Sequence, residues 1–414
     1  MNHKWAYKKL SSVCDRIGDG LHGTPEYDEQ GEFYFVNGNN LEDGFIKFFR
    51  DTKKVGVNEF NSHNVELSDK TLLLSINGTI GSLALYRGEP IVLGKSAAYI
   101  NCRDIDRRFV YYYFQLRGVV KAFYNIATGS TIKNLGLGSL QEFLIPVPPR
   151  EVQAQIVDIL SLIDSKIQTN NQINTELEAS TKLLYDYWFV QFDFPTTKAQ
   201  ATQSKSPAAE GRPYRSTGGE LAFSESLKRE IPVGWTAASF STLTNNFDAK
   251  RVPLSKSERS KRKGKYPYYG ATEMMDQVDD YLFDGDYILV AEDGSVMDAN
   301  GFPVLQFIFG KSWVNNHAHV VQAKNEEHNE FVYFSLKRTP VVNIMSGSVQ
   351  KKITQENLNN TPILLPCEET LEAFCAIANA NRKQRVIIQK QNDELIKLRN
   401  WLLPMLMNGQ VSVR

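Results

Sequence analysis

The chain has 414 residues, 42% of them hydrophobic and 23% charged, a composition typical of a globular protein with two or three domains. Its 47 basic and 47 acidic residues cancel, which excludes an argument for nucleic-acid binding from total charge. No apolar run approaches the roughly 18 residues of a membrane span. The four cysteines lack CxxC spacing, which favours reduced thiols and a cytoplasmic location.

The first globular part is predicted over residues 1–148. Apolar runs at 33–36 and 72–76 are separated by glycine-containing turns, as short strands are. The segment 106–123, rich in Tyr and Val, is too long for one strand and predicts helix. Together these features predict a mixed α+β domain.

A long helix is predicted over residues 149–194. Prolines precede it, and no Pro or Gly interrupts the next roughly 40 residues, which at about 1.5 Å each make a helix on the order of 60 Å long. Its apolar residues form one narrow seam of coiled-coil type, with a polar centre at Asn170 and Asn174. The seam residues are Ile156, Leu160, Ile163, Ile167, Leu177, Leu184 and Trp188. Such a seam needs a partner helix to cover it.

Residues 195–220 are rich in Ser, Thr, Ala, Gln, Gly and Pro without apolar periodicity, and they predict a flexible linker. A second globular part follows over 221–366, with the same rhythm of glycine-containing turns. A second long helix is predicted within 367–414, and it ends at Asn408-Gly409. Its seam residues are Phe374, Ile388, Leu395, Leu402 and Leu406.

The chain is a tandem duplication. A shift of 218 positions takes the Thr-Gly-Ser of 128–130 onto the Ser-Gly-Ser of 346–348. The same shift takes Asn174 onto Asn392, which predicts that these two residues are the buried polar positions that fix the helix register. Each copy is therefore a globular part followed by a long helix.

Sequence patterns for catalysis are missing. The Gly-Lys-Ser tripeptides at 94–96 and 310–312 lack the glycine five positions earlier that a phosphate loop requires. His317 and His319 have no third metal ligand nearby in sequence, which favours hydrogen-bonded imidazoles over a metal site. The sequence thus predicts no catalytic residue, no metal and no cofactor.

Candidate DNA contacts in the second copy lie in a basic segment, 250–265, where eight basic residues face Glu258 alone before a run of tyrosines. Basic side chains neutralise phosphates, and neighbouring polar groups reach base edges. The alternative is a solvated, mobile loop. The candidates are Lys250, Arg251, Lys256, Arg259, Lys261, Arg262, Lys263, Lys265, Tyr266, Tyr268 and Tyr269.

The first copy has different residues in the corresponding loops, which predicts two similar readers of different targets. Its candidates are His22, Thr24, Tyr27, Asn39, Arg50, Lys53 and Lys54. The Gly-Ser loop of each copy adds further candidates, for which a purely structural turn is the alternative. They are Ser130, Thr131 and Lys133 in the first copy, and Ser348, Gln350, Lys351 and Lys352 in the second.

Over essentially its whole length, the chain resembles the specificity subunits of type I restriction-modification systems. The two long helices, the repeated segments that lead into them and several short motifs carry the likeness. These motifs lie at 188–193, 266–271, 292–294, 313–319, 347–366 and 402–409.

The resemblance implies a pseudo-twofold α+β tandem repeat, in which two target recognition domains are joined by an antiparallel coiled coil. Each domain is expected to read one half of a bipartite double-stranded DNA site. The coiled coil is expected to set the spacer and to dock two methylation subunits, through which restriction subunits join. The resemblance also implies that this subunit has no catalytic residues.

Two other interpretations stay open on the residues alone. A scaffold would use its coiled coil to bind proteins while its globular parts bind no DNA, and salt-dependent, sequence-selective DNA binding would exclude it. A self-contained DNA-modifying enzyme would cut DNA or transfer methyl groups without other subunits.

Overall fold

The computed structural model describes residues 5–203, 210–347 and 351–411. The chain divides into two compact units, each a mixture of strands and helices as predicted. The first unit comprises Met1–Asn170 and Lys390–Arg414, and the second comprises Asn171–Gln389. Among the described residues, no helix combines the length and the apolar character that a membrane crossing requires.

The first unit is built from short strands, four small helices and parts of both long helices. Its strands are β1 Ala6–Lys9, β2 Cys14–Asp19, β3 Phe33–Val36, β4 Leu41–Glu42, β5 Phe45–Ile46, β6 Lys54–Val55, β7 Thr71–Ser75, β8 Leu83–Leu85, β9 Ile91–Leu93, β10 Ala97–Cys102 and β11 Leu144–Val147. Its helices are α1 Val57–His63, α2 Arg107–Phe114, α3 Arg117–Ile126, α4 Leu137–Gln141 and the start of α5 Arg150–Tyr185.

The centre of the first unit is an antiparallel sheet in the order β2-β10-β7-β8. A second sheet has the order β6-β3-β9, with β3 and β9 parallel. Strands β7 and β10 are buried along their whole length, because α2 and α3 cover one face of the sheet with aromatic side chains such as Phe109 and Phe123, while apolar residues of β3, β4, β5 and β9 cover the other. Asp106 caps α2 by accepting a hydrogen bond from the Arg108 backbone N–H, at 2.8 Å.

Two long helices meet within the first unit. The start of α5 packs beside the end of the second long helix, α11, which spans Glu368–Met407. Asn170 Nδ2 donates to Asn392 Oδ1 at 2.8 Å, and Arg399 pairs with Asp164 at 2.8 Å. Because the contacting positions rise along one helix as they fall along the other, the helices are antiparallel, as the resemblance implies.

The second unit repeats the order of elements seen in the first. After α6 Lys198–Gln203, its strands are β12 Leu221–Ser224, β13 Arg229–Pro232, β14 Thr236–Ser239, β15 Thr244–Asn246, β16 Lys263–Tyr269, β17 Met274–Val278, β18 Phe283–Asp284, β19 Tyr287–Ala291, β20 Leu305–Ile308, β21 Lys311–Val314, β22 Ala318–Ala323, β23 Met345–Ser346, β24 Lys352–Ile353 and β25 Pro362–Leu365. Its other short helices are α7 Phe240–Leu243, α8 Lys256–Lys261, α9 Asn329–Lys337 and α10 Gln355–Asn360.

The central sheet of the second unit has the order β15-β22-β19-β20 and is antiparallel. It matches the central sheet of the first unit strand for strand, which supports the duplication. A second sheet, β17-β16-β21-β18, contains the parallel pair β16 and β21. The long helices are antiparallel here as well, since Asn381 bonds Thr181 at 3.0 Å and Arg385 pairs with Glu178 at 2.8 Å.

The predicted seam residues of both helices are all buried or half-buried. Helix α5 continues as one π-helical turn at Asp186–Val190, where Trp188 and Phe189 enter the core of the second unit. The polar centre differs from the prediction. Asn392 bonds Asn170, and Asn174 is half-buried, because antiparallel helices bring together different positions from those that the repeat superimposes.

The predicted flexible linker, 195–220, is packed in much of its described part. Tyr214 is buried, and its ring stacks on Phe194 with centroids 4.9 Å apart. Phe194 also stacks on Trp235, at 4.5 Å. This aromatic stack gives the segment a core that its polar composition does not indicate. Residues 204–209 of the predicted linker lie outside the described residues.

Candidate nucleic-acid interface

The Gly-Ser loop of the first unit is fixed at one end of the central sheet. Thr128 and Asn134 close the loop with two backbone hydrogen bonds, at 2.9 and 2.8 Å. The Gly78 N–H donates to the Lys133 carbonyl at 3.1 Å, beside the end of β7. Gly129 has φ +97°, and a Cβ there would lie 2.2 Å from the Ile132 carbonyl oxygen, so glycine is required. The candidates Ser130, Thr131 and Lys133 are all exposed on this loop.

The second unit places its loop in the same way. Strands β23 and β24 pair at its base, and the Ile353 N–H donates to the Glu292 carbonyl at 2.9 Å. Lys351 and Lys352 are exposed, and Lys352 Nζ lies 3.9 Å from an Asp293 carboxylate oxygen. The candidates Ser348 and Gln350 lie outside the described residues. Each unit therefore presents basic side chains from a closed loop at the same end of its central sheet.

A cleft of about 250 Å³ adjoins the first loop. His22, Lys95 and Asn134 line it, together with Asp19 and Asn77. His22 Nε2 lies 2.7 Å from Asp19 Oδ2, and the imidazole is exposed. The structure thus brings His22 together with the Gly-Ser loop, as polar groups that face a base edge or a phosphate would be arranged. Other predicted residues of this part, namely Thr24, Tyr27 and Asn39, are exposed.

A second group of candidates lies on the turn between β5 and β6. Arg50 and Lys53 are exposed, and Lys54 is half-buried with its ammonium 5.1 Å from the centre of the Tyr34 ring. Sequence reasoning missed two neighbours on this turn, Phe48 and Phe49, which are 40% and 47% exposed. The available signal was a pair of phenylalanines in a turn with basic residues on both sides.

The basic segment of the second unit is folded. Residues Lys256–Lys261 form α8, whose first turn is closed by a capping box between Ser255 and Glu258. Lys263–Tyr269 form β16, paired to β17 and β21. The alternative of a mobile loop is not what the structure shows for 250–265.

Three predicted DNA contacts in this segment instead support its fold. Tyr268 is only 1% exposed, and its hydroxyl accepts a hydrogen bond from the Leu254 N–H at 2.9 Å. Arg259 lies over the Tyr268 ring at 5.1 Å and donates to the Leu254 carbonyl at 2.7 Å. Arg251 donates to Glu292 and to the Ala318 carbonyl, both at 2.7 Å. The burial of Tyr268 and the internal partners of the half-buried Arg251 and Arg259 give these three side chains a role in holding the fold of the segment.

The other basic side chains of the segment are exposed or half-buried, and some of them form ion pairs within the second unit. Arg262 pairs with Asp279 at 2.9 Å, and Lys263 pairs with Asp276. Lys256 and Lys261 are exposed and make no ion pair with any described residue. The remaining candidates are exposed or half-buried and contact rings or strands of the same unit: Lys250, Lys265, Tyr266 and Tyr269.

A buried charge network joins the basic segment to the second Gly-Ser loop. His319 Nδ1 lies 2.6 Å from Asp248 Oδ2, and its Nε2 lies 2.7 Å from the Ile353 carbonyl oxygen. Both ring nitrogens therefore face acceptors, an arrangement that favours the imidazole with a proton on each nitrogen and a positive charge. Asp248 directly precedes the basic segment, and Ile353 follows the loop.

The pKa values in this network follow from its contacts. Burial alone would lower the pKa of His319, but the Asp248 and Ile353 hydrogen bonds and the nearby carboxylates raise it above its usual value. Burial would likewise raise the pKa of Asp248, yet the hydrogen bond and charge of His319 and the Val320 N–H lower it.

Ligand atoms of Asp248, Glu292 and His319 lie within 4.8 Å of one another, a spacing compatible with a metal ion. The Arg251 guanidinium, however, lies 2.7 Å from Glu292 and 3.5 Å from Asp248, and together with a protonated His319 it balances the charge of both carboxylates. The arrangement is that of a hydrogen-bonded ion cluster. Sequence reasoning named His319 as a hydrogen-bonded residue and missed Asp248.

Comparison with known proteins gives the same assignment for both halves of the chain. The model of the type I restriction modification DNA specificity domain matches residues 2–179 and 233–404. The chain is 23% identical to the type I restriction enzyme MjaIX specificity subunit of Methanocaldococcus jannaschii, over 99% of this chain and 94% of that protein.

Two further similarities are more partial. A putative type I restriction enzyme specificity subunit of Haemophilus influenzae is 34% identical over 35% of this chain, an alignment that spans about a third, 36%, of that protein. The crystal structure of a type I restriction-modification S subunit from M. genitalium superposes with a TM-score of 0.55, covering 98% of this chain and 96% of the other at 16% identity. This structural likeness supports the fold.

Proposed function

The chain belongs to the type I restriction modification DNA specificity family, as a non-catalytic specificity subunit, and on that premise we propose that each unit reads one half of a bipartite double-stranded DNA site. The observation that carries the proposal is the repeated Gly-Ser loop. It lies at the same end of both central sheets, and its exposed side chains differ between the copies. Two units with the same backbone framework but different exposed polar side chains are suited to recognise two different base sequences.

In this proposal the exposed basic residues provide affinity for DNA, and the side chains of the loops provide specificity for the base sequence. Lysines such as Lys133, Lys261 and Lys351 neutralise phosphates, which fixes the position of each unit on the duplex. Lys, Asn and His side chains near the loops form hydrogen bonds with base edges. Since the total charge is zero, these local groups replace long-range attraction by the whole molecule.

The long helices are proposed to dock two methylation subunits, and through them restriction subunits, in the cytoplasm. In the first unit, Leu162 is 72% exposed and Trp401 is 56% exposed. They lie two residues from the paired Asp164 and Arg399, so the antiparallel helices bring them to one level. The second unit exposes Leu183, the repeat counterpart of Trp401. Exposed apolar side chains on the long helices of each unit suit two copies of one partner.

Native mass spectrometry tests the docking proposal by counting bound methylation subunits. Trp401→Glu is expected to remove one of them and Leu183→Glu the other, because a charge on an apolar patch opposes its burial. Gln172→Glu, an exposed polar position of α5, is the matched control. Two methylation subunits retained by the double variant Trp401→Glu, Leu183→Glu would show that docking uses another surface.

Selection from a random DNA library by the purified complex tests the reading proposal. The complex is expected to enrich two short sequences at a fixed separation, with affinity that falls as salt concentration rises. Enrichment of a single uninterrupted sequence would show that only one unit reads DNA. Binding without sequence preference would leave the scaffold interpretation.

A further inference from the structure

The turn between β5 and β6 of the first unit is held rigidly. Asn40 is buried, and its amide donates to the Lys47 carbonyl at 2.9 Å and to Thr52 Oγ1 at 3.3 Å. The Phe49 N–H donates to the same Thr52 oxygen at 2.7 Å. These bonds fix residues 47–52, so the side chains that the turn presents are pre-organised rather than fluctuating.

The rigid turn presents two phenyl rings to solvent. Phe48 and Phe49 are 40% and 47% exposed, although Phe is a residue type that proteins mostly bury. Phe48 stacks on Tyr34 with centroids 4.1 Å apart, which fixes its plane. We call Phe48, Phe49 and Arg50 the aromatic tip.

The surroundings of the aromatic tip are basic in a chain of zero net charge. Residues 45–55 carry Lys47, Arg50, Lys53 and Lys54 against Asp51 alone. None of these four cations makes an ion pair with any residue that the structure describes. Exposed rings beside unpaired cations are complementary to a ligand that offers flat apolar faces and negative charges, which is the chemistry of nucleic acid.

We infer that the aromatic tip contacts a base step of the half-site read by the first unit, with Arg50 and Lys53 on the adjoining phosphates. A phenyl ring either stacks on a base or enters between two base pairs and unstacks them. The tip then senses the deformability of that step, a form of recognition without base-edge hydrogen bonds. This inference rests on the proposed function and adds a contact to it.

The test uses the complex with its methylation subunit and DNA carrying the mapped site, with 2-aminopurine placed at successive positions of the first half-site. Wild type is expected to raise the fluorescence at one step, because unstacking relieves quenching. Phe49→Ala should abolish that rise and weaken binding on the order of tenfold. Its salt dependence should stay unchanged, whereas Arg50→Ala with Lys53→Ala should lower the salt slope by about two.

The matched control is Phe223→Ala in the second unit. Phe223 is 60% exposed, and residues 219–227 contain no Lys or Arg, so this change should leave affinity and fluorescence unaltered. Phe48→Tyr keeps the ring and should bind as wild type does. If Phe49→Ala behaves like Phe223→Ala, the inference is wrong. It is equally wrong if Phe49→Ala releases the methylation subunit in the absence of DNA, since the tip then faces protein. A wild-type complex without sequence preference would instead contradict the proposed function itself.

Discussion

His319 shows how one buried side chain organises the second reading unit. Its imidazolium joins Asp248, ahead of the basic segment, to Ile353, behind the Gly-Ser loop. In the first unit, Ala98 occupies the corresponding position of the central sheet. An alanine side chain cannot form the two hydrogen bonds that His319 makes in the second unit. The charge state of His319 therefore affects one unit only.

The pKa shifts predict how stability depends on pH. The pKa of His319 is raised on folding, so its contribution is fully present below its unfolded pKa of about 6.5 and is lost as pH rises through the folded value. The pKa of Asp248 is lowered, so its contribution is lost as pH falls through that folded value. Denaturant unfolding at several pH values should show this alkaline loss. Arg251 and Glu292 face the same cluster.

The variant His319→Ala is expected to lower the free energy of unfolding by about 3 kcal/mol near neutral pH, because it removes the nearest charge partner of the Asp248 carboxylate and leaves it only the more distant Arg251. His319→Gln should remove the alkaline dependence while keeping one hydrogen bond. Urea unfolding of the second unit measures both effects. If His319→Gln lost as much stability at alkaline pH as the wild type does, the loss would have to come from another titrating group.

The basic segment illustrates what a charge count misses at this scale. The run of cations is evident in the sequence, but the partners of Arg259, Arg262 and Lys263 come from residues 276 and 279, further along the chain. Which cations remain free therefore depends on strand pairing. Tyr268 was equally ambiguous, since a tyrosine beside lysines suits both a core and an interface.

Lys256 and Lys261 are expected to contribute to DNA binding but not to the stability of the fold. Replacing both with Ala should leave the melting temperature unchanged, because both are exposed, and should lower the salt slope of DNA binding by about two. Arg259→Ala is the contrasting variant, expected to cost about 2 kcal/mol of stability through its lost contacts with Tyr268 and Leu254. Salt titrations and thermal melts distinguish the two classes.

At the scale of elements, the long helices combine apolar seams with one buried polar contact. The sequence predicted the seams and the presence of a central Asn, because period and composition are local properties. It assigned Asn174 and Asn392, whereas the structure joins Asn170 to Asn392. Residues that correspond in the two repeats differ by a constant number of positions. Residues that face each other across antiparallel helices instead have position numbers with a constant sum, and that sum is known only from the structure.

The Asn170 contact is expected to specify register. Asn170→Ala should lower the free energy of unfolding by about 1–3 kcal/mol, since it removes hydrogen bonds to the buried Asn392 amide and to the exposed Gln391 amide. The double replacement Asn170→Leu, Asn392→Leu should recover most of that loss, as apolar pairs suit a seam. Equal destabilisation by the single and double variants, measured in urea, would argue against this role.

Helix length is expected to set the spacer of the DNA site. Removing one heptad from each long helix, within 153–184 and its repeat counterpart, shortens them by about 10 Å, or roughly three base pairs. The spacer should shorten while both half-sites stay the same, because the reading loops are untouched. Library selection with the shortened complex provides the measurement. Altered half-sites with an unchanged spacer would contradict the prediction.

At the scale of the whole molecule, the duplication was readable from the sequence, but the compact units were not. The predicted boundaries place each long helix in a segment of its own. In the structure each unit contains the beginning of one long helix and the end of the other, and the core of the first unit includes Leu160 and Leu406 together. Long-range packing of this kind leaves no signal in local composition.

The distribution of charge over the whole molecule bears on how a chain of zero net charge can recognise DNA. Clusters of exposed and half-buried cations lie at 47–54 in the first unit and at 256–265 in the second, and other exposed cations are spread along the chain. Carboxylates elsewhere balance the total charge, so the proposed DNA binding depends on these local clusters and not on the charge of the whole molecule.

Mapping of methylated adenines across the genome, in cells that express this chain with its methylation subunit, tests whether both units read DNA. The expected result is a split motif of two short sequences at a fixed separation. Lys256→Ala with Lys261→Ala is expected to weaken methylation at that motif. A short uninterrupted motif, or no methylation by a complex shown to assemble, would contradict the claim that both units read DNA.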